Sequence, residues 1–133
     1  MIKAWMGRNS FRKSVLQASD YKCCITGIKY LPSLVASRIK PWSICSPEER
    51  IDIHNTLCLN SLHYSLFNRY LMTIDDDGYI IYSSGLKKRF GNDFFESSLL
   101  KYDKIAVMDN NVPYSKYVKY HNSRFEEETG DSV

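Results

Sequence analysis

Three short segments that follow one another at close spacing constrain the fold of this chain more than any other feature. They are residues 37–42 (SRIKPW), 55–59 (NTLCL) and 66–69 (LFNR). The first runs into a proline and the second is a short apolar run, so each predicts an extended segment or strand. The third belongs to a predicted helix that Asn60 or Ser61 can cap. Together they predict two strands followed by a helix.

Patterns on either side of these segments predict further elements. Apolar residues at helical spacing favour helices, and Asp77-Gly78 between two runs rich in β-branched and aromatic residues is typical of a hairpin turn. The predicted elements are a helix over residues 8–18 capped by Asn9 or Ser10, a strand over 21–27, a loop over 42–52 with a helical turn begun at Ser46, a hairpin of 71–74 and 79–82, a short helix at 93–96 and a closing helix over 113–125. Trp42 is predicted to lie in the core.

Length and composition bound the class of protein. With 133 residues and 44% hydrophobic side chains, the chain suits one globular domain over residues 1–125, followed by an acidic flexible tail over 126–133. No apolar run is long enough for a membrane span and no secretory signal is evident, so we expect a cytoplasmic protein without a membrane partner. The four cysteines are scattered, so we expect reduced thiols and no zinc site.

Charge is unevenly distributed along the chain. The net charge is +3, but residues 1–60 hold nine Lys or Arg against four acids, and the remainder is slightly acidic. Lys and Arg release counterions when they contact phosphates, so a basic half favours a nucleic-acid partner. An excess of this size is also ordinary for a solvated surface. Charge alone therefore leaves both interpretations open.

In order and spacing, the three segments resemble the HNH endonuclease domains of bacterial restriction enzymes. That pattern is roughly A/S-H-I-x-P-W, then N-G-L-x-L, then H/D-x-L-F-D-x-G, and the resemblance extends from residues 8–12 through 24–27 to 117–121. It implies an α+β fold with an HNH-like ββα-metal core, to which this chain adds an N-terminal helix, an extra β-hairpin and a C-terminal helix. It also implies cleavage of double-stranded DNA, with a histidine that activates water and helix residues that bind a divalent cation.

The chain departs from the family pattern at the positions that carry its chemistry. Arg38 stands where the pattern has the catalytic histidine, and a guanidinium, with a pKa above about 12, accepts no proton at neutral pH. Tyr64 and Asn68 stand at the two metal-binding positions, where a phenol and a carboxamide are poor ligands for Mg²⁺. Asn55 matches the family's asparagine, and Thr56 replaces a glycine. We therefore expect Mg²⁺ to bind weakly, if at all.

Three histidines are candidates to replace the missing base. His63 falls at the metal position in the catalytic region if the alignment to the family pattern shifts by one residue. The partner four residues on would then be Phe67, which cannot coordinate a metal. His54 is next to Asn55, although adjacent strand residues point to opposite faces. His121 matches a histidine in the family's closing motif and is predicted to pack or to face a phosphate. An active endonuclease built around one of the first two remains an alternative.

The basic residues near the motif are interpreted as contacts to the DNA backbone, because arginine can grip a phosphate with two parallel hydrogen bonds. These residues are Arg12, Lys13, Arg38, Lys40 and Arg69. The sequence thus favours an HNH-like domain of restriction-endonuclease ancestry with lost or weak cleavage, which binds DNA or a protein partner in phage defence or counter-defence. The alternatives are an active metal-dependent DNA endonuclease and a purely protein-binding inhibitor or decoy.

Overall fold

The chain alternates short strands with helices, and the computed structural model describes residues 2–86, 88 and 97–133. Its main elements are α1 (Ile2–Ala18), β1 (Leu34–Arg38), α2 (Pro47–Arg50), β2 (Thr56–Asn60), α3 (Ser61–Asn68), β3 (Met72–Ile74), β4 (Ile80–Tyr82) and α4 (Ser115–Thr129). The strands form two antiparallel hairpins, which confirms the predicted α+β class. No helix within these ranges combines the length and the apolar character needed to cross a membrane.

The β1–β2 hairpin and α3 form a continuous ββα unit. Arg38 at the end of β1 lies opposite Thr56 at the start of β2. The second strand passes into the helix without a loop because Asn60 caps it, its Oδ1 accepting the backbone N–H groups of Leu62 and His63 at 3.0 Å. All residues of β2 are buried, and both α1 and α3 contact this strand. The predicted order of two strands and a helix is confirmed.

The connection between β1 and β2 is a series of short helical turns. The 3₁₀ turns Trp42–Ile44 and Ile53–Asn55 flank α2. A capping box starts α2: Ser46 Oγ accepts the backbone N–H of Glu49 at 3.2 Å, and Glu49 Oε1 accepts that of Ser46 at 3.0 Å. The helical turn predicted at Ser46 is therefore confirmed.

The β3–β4 hairpin closes through the predicted Asp-Gly turn. Asp75 Oδ1 accepts the backbone N–H groups of Asp77 and Tyr79, each at 2.9 Å. Gly78 adopts a φ of +86°, a left-handed conformation that residues with a Cβ rarely take. The hairpin thus follows the pattern that the sequence predicted.

Residues 21–27 form turns, and the strand predicted there is wrong. Cys23 Sγ accepts the backbone N–H groups of Ile25 and Thr26 at 3.4 Å, which satisfies locally the groups that a strand would pair across a sheet. Tyr21 has a φ of +55°, a conformation that also breaks an extended run. Helix α1 begins at Ile2, so the predicted start at residue 8 is wrong as well.

The closing helix extends further than predicted. It starts at Ser115 and ends at Thr129, so the predicted tail boundary at residue 126 falls inside α4. Its Tyr117 and Phe125 side chains are fully buried, and α4 packs against β3. The short helix predicted at residues 93–96 lies outside the described residues.

Phe125 offers a test of how firmly the end of α4 is packed. Phe125→Ala is expected to lower the free energy of unfolding by roughly 3–5 kcal/mol, because the truncated side chain leaves a cavity. Urea denaturation measures this quantity. The exposed Glu127→Ala variant in the same helix is the control and should change stability by less than about 0.5 kcal/mol. Equal effects of the two variants would contradict the packing described.

Candidate functional site

A cavity of about 230 Å³ opens between the end of β1, the segment that follows it, α3 and α4. We call it the Arg38 cavity. Residues that line it include Ser37, Arg38, Trp42, Tyr64, Asn68 and His121. Three positions at which this chain departs from the nuclease pattern therefore meet at one place, and the spacing of four residues brings Tyr64 and Asn68 to the same wall, as predicted.

The half-buried Arg38 side chain is held by two contacts. Its Nη2 donates to the carbonyl oxygen of Arg50 at 3.0 Å, and its Cζ lies 4.4 Å from the centre of the Phe11 ring. Burial, and then the nearby Arg50, lower the pKa of Arg38, but a guanidinium stays protonated at neutral pH. Within the described part of the chain, Arg38 forms no ion pair and its buried Nε has no hydrogen-bond partner. Its charge is not balanced by a carboxylate there.

Trp42 is 51% exposed at the wall of the cavity, so its predicted place in the core is wrong. The Arg50 guanidinium carbon lies 3.8 Å from the centre of the indole ring, and Arg50 Nε donates to the Trp42 carbonyl at 3.1 Å. Stacking on a cation thus takes the place of core packing. Sequence reasoning singled out neither Arg50 nor this pair, because the contact joins two loop residues to which no periodic spacing applies.

Asn55 braces the backbone and does not line the cavity. It is fully buried, its Oδ1 accepts the backbone N–H of Lys40 at 2.8 Å, and its Nδ2 donates to the Lys40 carbonyl at 3.1 Å. The neighbouring Thr56 has an extended backbone, with φ −138°, so its Cβ is accommodated where the family has glycine. The asparagine position therefore fixes the chain that leaves β1.

The donor atoms on this side of the cavity do not fit Mg²⁺. Tyr64 and Asn68 offer a phenol and a carboxamide, whereas Mg²⁺ prefers carboxylate oxygens. The Arg38 charge in the same cavity repels a cation. Among residues 2–86, 88 and 97–133, no three His, Cys, Asp or Glu side chains form a group that could hold a metal ion. The residues present thus disagree with the divalent cation that HNH nucleases generally use.

Two of the candidate histidines lie outside the cavity lining. His63 is fully buried, its Nδ1 accepts from Asn60 Nδ2 at 2.8 Å, and its Nε2 donates to the Leu99 carbonyl at 2.9 Å. Burial lowers the pKa of His63. His54 donates through Nδ1 to the Val112 carbonyl at 2.7 Å. Neither imidazole is brought together with Arg38.

His121 lines the cavity from α4, but both of its ring nitrogens are engaged. Its Nε2 donates to the Phe67 carbonyl at 2.9 Å, and its Nδ1 accepts from Thr73 Oγ1 at 2.8 Å. The ring also stacks on Phe67, with 3.8 Å between the ring centres. Burial lowers the pKa of His121 to about 4. It is therefore a neutral packing residue, in line with the packing role predicted for it.

Of the five cations predicted to contact DNA, only Arg38 lines the cavity. Arg12 donates through Nη1 to the Leu34 carbonyl at 3.0 Å and so connects α1 to β1. Two others, Lys13 and Arg69, are exposed.

Lys40 is engaged by a carboxylate. Its Nζ lies 2.9 Å from Glu49 Oε1, and Lys116 Nζ lies 3.3 Å from Glu49 Oε2. The backbone N–H of Ser46, followed by these lysines, lowers the pKa of Glu49 to about 2. The Lys40 charge is therefore compensated, in contrast to that of Arg38.

The ββα unit beside the cavity lies in a segment that matches the model of a known family. Residues 23–75 match the model of the HNH endonuclease family. The matched segment contains β1, β2, α3 and β3. The resemblance drawn from the sequence motif is confirmed.

A solved structure described as a modification dependent TagI restriction endonuclease has a similar fold. The two chains superpose with a TM-score of 0.56 at 16% sequence identity, over 86% of this chain and 37% of that one. This chain thus spans little more than a third of the other protein, and the likeness concerns the fold. A comparison with curated proteins found no match.

His121 makes stability depend on pH below neutrality. Because its pKa in the folded protein is about 4, against 6.5 for an ordinary imidazole, the unfolded chain binds the proton first as the pH falls. The stabilisation is complete above pH 6.5 and is lost as the pH falls towards 4. We expect the His121 contribution to the free energy of unfolding to be about 2 kcal/mol smaller at pH 5 than at pH 7.

Urea denaturation of wild type and His121→Gln at the two pH values measures this difference. The variant should lose part of the pH dependence, while His63, whose pKa burial also lowers, should retain the rest. Identical pH dependence in the two proteins would contradict the role given to His121.

Proposed function

We propose that this chain is an HNH-type domain that binds the phosphate backbone of DNA and does not cut it. The observation that carries the proposal is the Arg38 guanidinium in the cavity, with no ion-pair partner among the described residues. An arginine held in this way suits a phosphate, which can accept charge-assisted hydrogen bonds from it. The relation of the fold to a DNA-cleaving enzyme supports DNA as the source of that phosphate.

The absence of cleavage follows from what hydrolysis of a phosphodiester needs. A base must activate water, and a cation must neutralise charge on the phosphate and the leaving oxygen. Arg38 cannot accept a proton, and both nitrogens of His121 are already in hydrogen bonds. Tyr64 and Asn68 are neutral and hold Mg²⁺ poorly. The cavity therefore suits a bound phosphate better than a reacting one.

An active endonuclease, the first alternative, would need His63 or His54 to reach the cavity and act with Asn55 and Asn68. His63 would have to give up two hydrogen bonds in a fully buried position, which is costly. The Asn55 amide is committed to the Lys40 backbone. These contacts oppose a rearranged site.

A protein partner, the second alternative, is favoured by one feature. Ile44 and Ile51 in the β1–β2 connection are 50% and 73% exposed, beside the half-exposed Trp42. Exposed apolar side chains of this kind occur at protein interfaces. As part of the proposal, the relation to a restriction endonuclease suggests a setting in phage defence or counter-defence, in the cytoplasm.

Salt-dependent binding tests the proposed contact between Arg38 and DNA. Fluorescence anisotropy with labelled DNA should show binding that weakens steeply as salt rises. Arg38→Ala should reduce affinity about tenfold or more and lower the slope of log affinity against log salt by about 1, because a charge-assisted contact to phosphate is lost.

Lys104→Ala is the matched control for that experiment. It removes the same charge from a side chain that also lies over an aromatic ring, with Nζ 4.8 Å from the centre of Tyr79, away from the Arg38 cavity. Its affinity should stay close to that of wild type. Negligible affinity of the wild type even at low salt would overturn the proposal in favour of a protein partner.

A plasmid assay tests whether cleavage is absent. Supercoiled plasmid incubated with the protein and Mg²⁺ or Mn²⁺ should remain as intact as in EDTA, since no group in the cavity can activate water. His63→Ala and the exposed-site variant Asn68→Ala are compared beside the wild type, because the buried His63 variant is the one that could fail to fold. Metal-dependent nicking that either variant abolishes would show an active nuclease.

A further inference from the structure

Trp42 is presented to solvent in a fixed orientation. Arg50 covers the indole at 3.8 Å from the ring centre, and its Nε is bonded to the Trp42 carbonyl at 3.1 Å. The carbonyl of Arg50 in turn accepts from Arg38 Nη2 at 3.0 Å. The indole and the two guanidinium groups are thus connected, and the Trp42 residue is 51% exposed beside the cavity.

Two residues at the cavity have a buried polar atom without a hydrogen-bond partner within the described residues. Ser37 is only 1% exposed, and its Oγ has no hydrogen bond within the described residues. The buried Nε of Arg38 likewise has no hydrogen-bond partner within the described residues. Both atoms are covered by protein, and adjacent strand residues point to opposite faces, so it is the accessible part of the Arg38 guanidinium, not these two atoms, that a ligand in the cavity can contact.

The volume and the lining of the cavity restrict the size and the chemical class of a ligand. Aromatic rings of Trp42, Tyr64 and Tyr70 line it, and flat heterocycles stack well on such rings. Its volume of about 230 Å³ leaves room for one planar heterocycle but not for a base pair. The exposed Asn68 carboxamide supplies groups that can donate and accept hydrogen bonds at the cavity wall. A ligand that fits these walls has a flat ring, a polar edge and an anionic group, and a nucleotide has all three.

We propose that the Arg38 cavity receives a single unpaired nucleotide of DNA, with its base stacked on Trp42 and its phosphate bound by Arg38. This inference rests on the proposed function and specifies the form of DNA that the site prefers. A base in an intact duplex must first be unpaired and unstacked, at a cost of a few kcal/mol. Single strands, and duplexes with one bulged nucleotide, therefore bind more tightly than fully paired duplexes.

Anisotropy titrations with three labelled probes test this inference: a short single strand, the same strand fully paired, and the pair with one bulged nucleotide. Trp42→Ala should weaken binding of the single strand and of the bulged duplex by about 5- to 150-fold, the range found for loss of one stacked base. Binding of the paired duplex should change little. Trp42→Phe should restore most of the affinity, because a flat ring returns.

Tyr79→Ala provides the matched control. Tyr79 is 48% exposed and lies beneath Lys104, as Trp42 lies beneath Arg50, but it is outside the Arg38 cavity. Its affinity for all three probes should equal that of wild type. Tryptophan fluorescence gives a second readout, because a stacked base should quench Trp42, and Trp42→Phe leaves Trp5 as the remaining tryptophan.

The outcomes separate the two proposals. Preference for unpaired probes that disappears in Trp42→Ala supports the nucleotide site. Equal binding of paired and unpaired probes, unchanged by Trp42→Ala but weakened by Arg38→Ala, overturns the nucleotide site and leaves backbone binding intact. No binding of any probe by the wild type overturns both. Thermal melting of each variant identifies a loss that is due to unfolding.

Discussion

The buried Asn55 carboxamide holds together the two chain segments from which the cavity is built. Its Oδ1 and Nδ2 bond to the N–H and the carbonyl of Lys40, and its own carbonyl accepts the N–H of Ile39 at 2.9 Å. These three bonds join the end of β1 to the start of β2 where the long connection leaves the hairpin. Arg38 and Trp42 lie just before and just after the braced residues, so their positions at the cavity depend on this one side chain. A buried amide that lost these partners would be strongly destabilising.

In this chain the backbone of the HNH-like ββα unit is present, whereas the side chains at its site differ from the family pattern. The brace at Asn55, the cap at Asn60 and the α3 face that carries Tyr64 and Asn68 all lie within residues 23–75, the segment that matches the HNH endonuclease model. None of these features depends on the identity of the catalytic base. The guanidinium at position 38, where the family pattern has histidine, carries a permanent positive charge, so the cavity favours anions over cations.

Sequence reasoning succeeded where local geometry decides. The helix cap expected at Asn60 or Ser61, the helical turn begun at Ser46 and the hairpin turn at Gly78 each follow from bonds within a few residues. The spacing of four residues likewise placed Tyr64 and Asn68 on one wall.

Contacts between residues that are not related by helical or strand spacing could not be predicted from the sequence. The stacking of Arg50 on Trp42 joins two irregular turns, and the engagement of His121 by Thr73 joins residues 48 positions apart. The turn at residues 21–27 was missed because an apolar run with two cysteines resembles a strand, whereas the Cys23 sulfur accepts the backbone N–H groups locally. Although the fold was assigned correctly, the full set of residues that line the cavity is evident only in the structure, because tertiary contacts bring them together.

The partly buried charge of Arg38 has a cost in folding free energy. A half-buried guanidinium that faces a second one, without a carboxylate partner in the described chain, is unfavourable for folding, because desolvation and repulsion are not offset. The hydroxyl of Ser37, buried without a partner, adds a smaller penalty of the same kind. An anion bound to the accessible part of the guanidinium would offset the first penalty, and this is the physical basis of the proposed phosphate site.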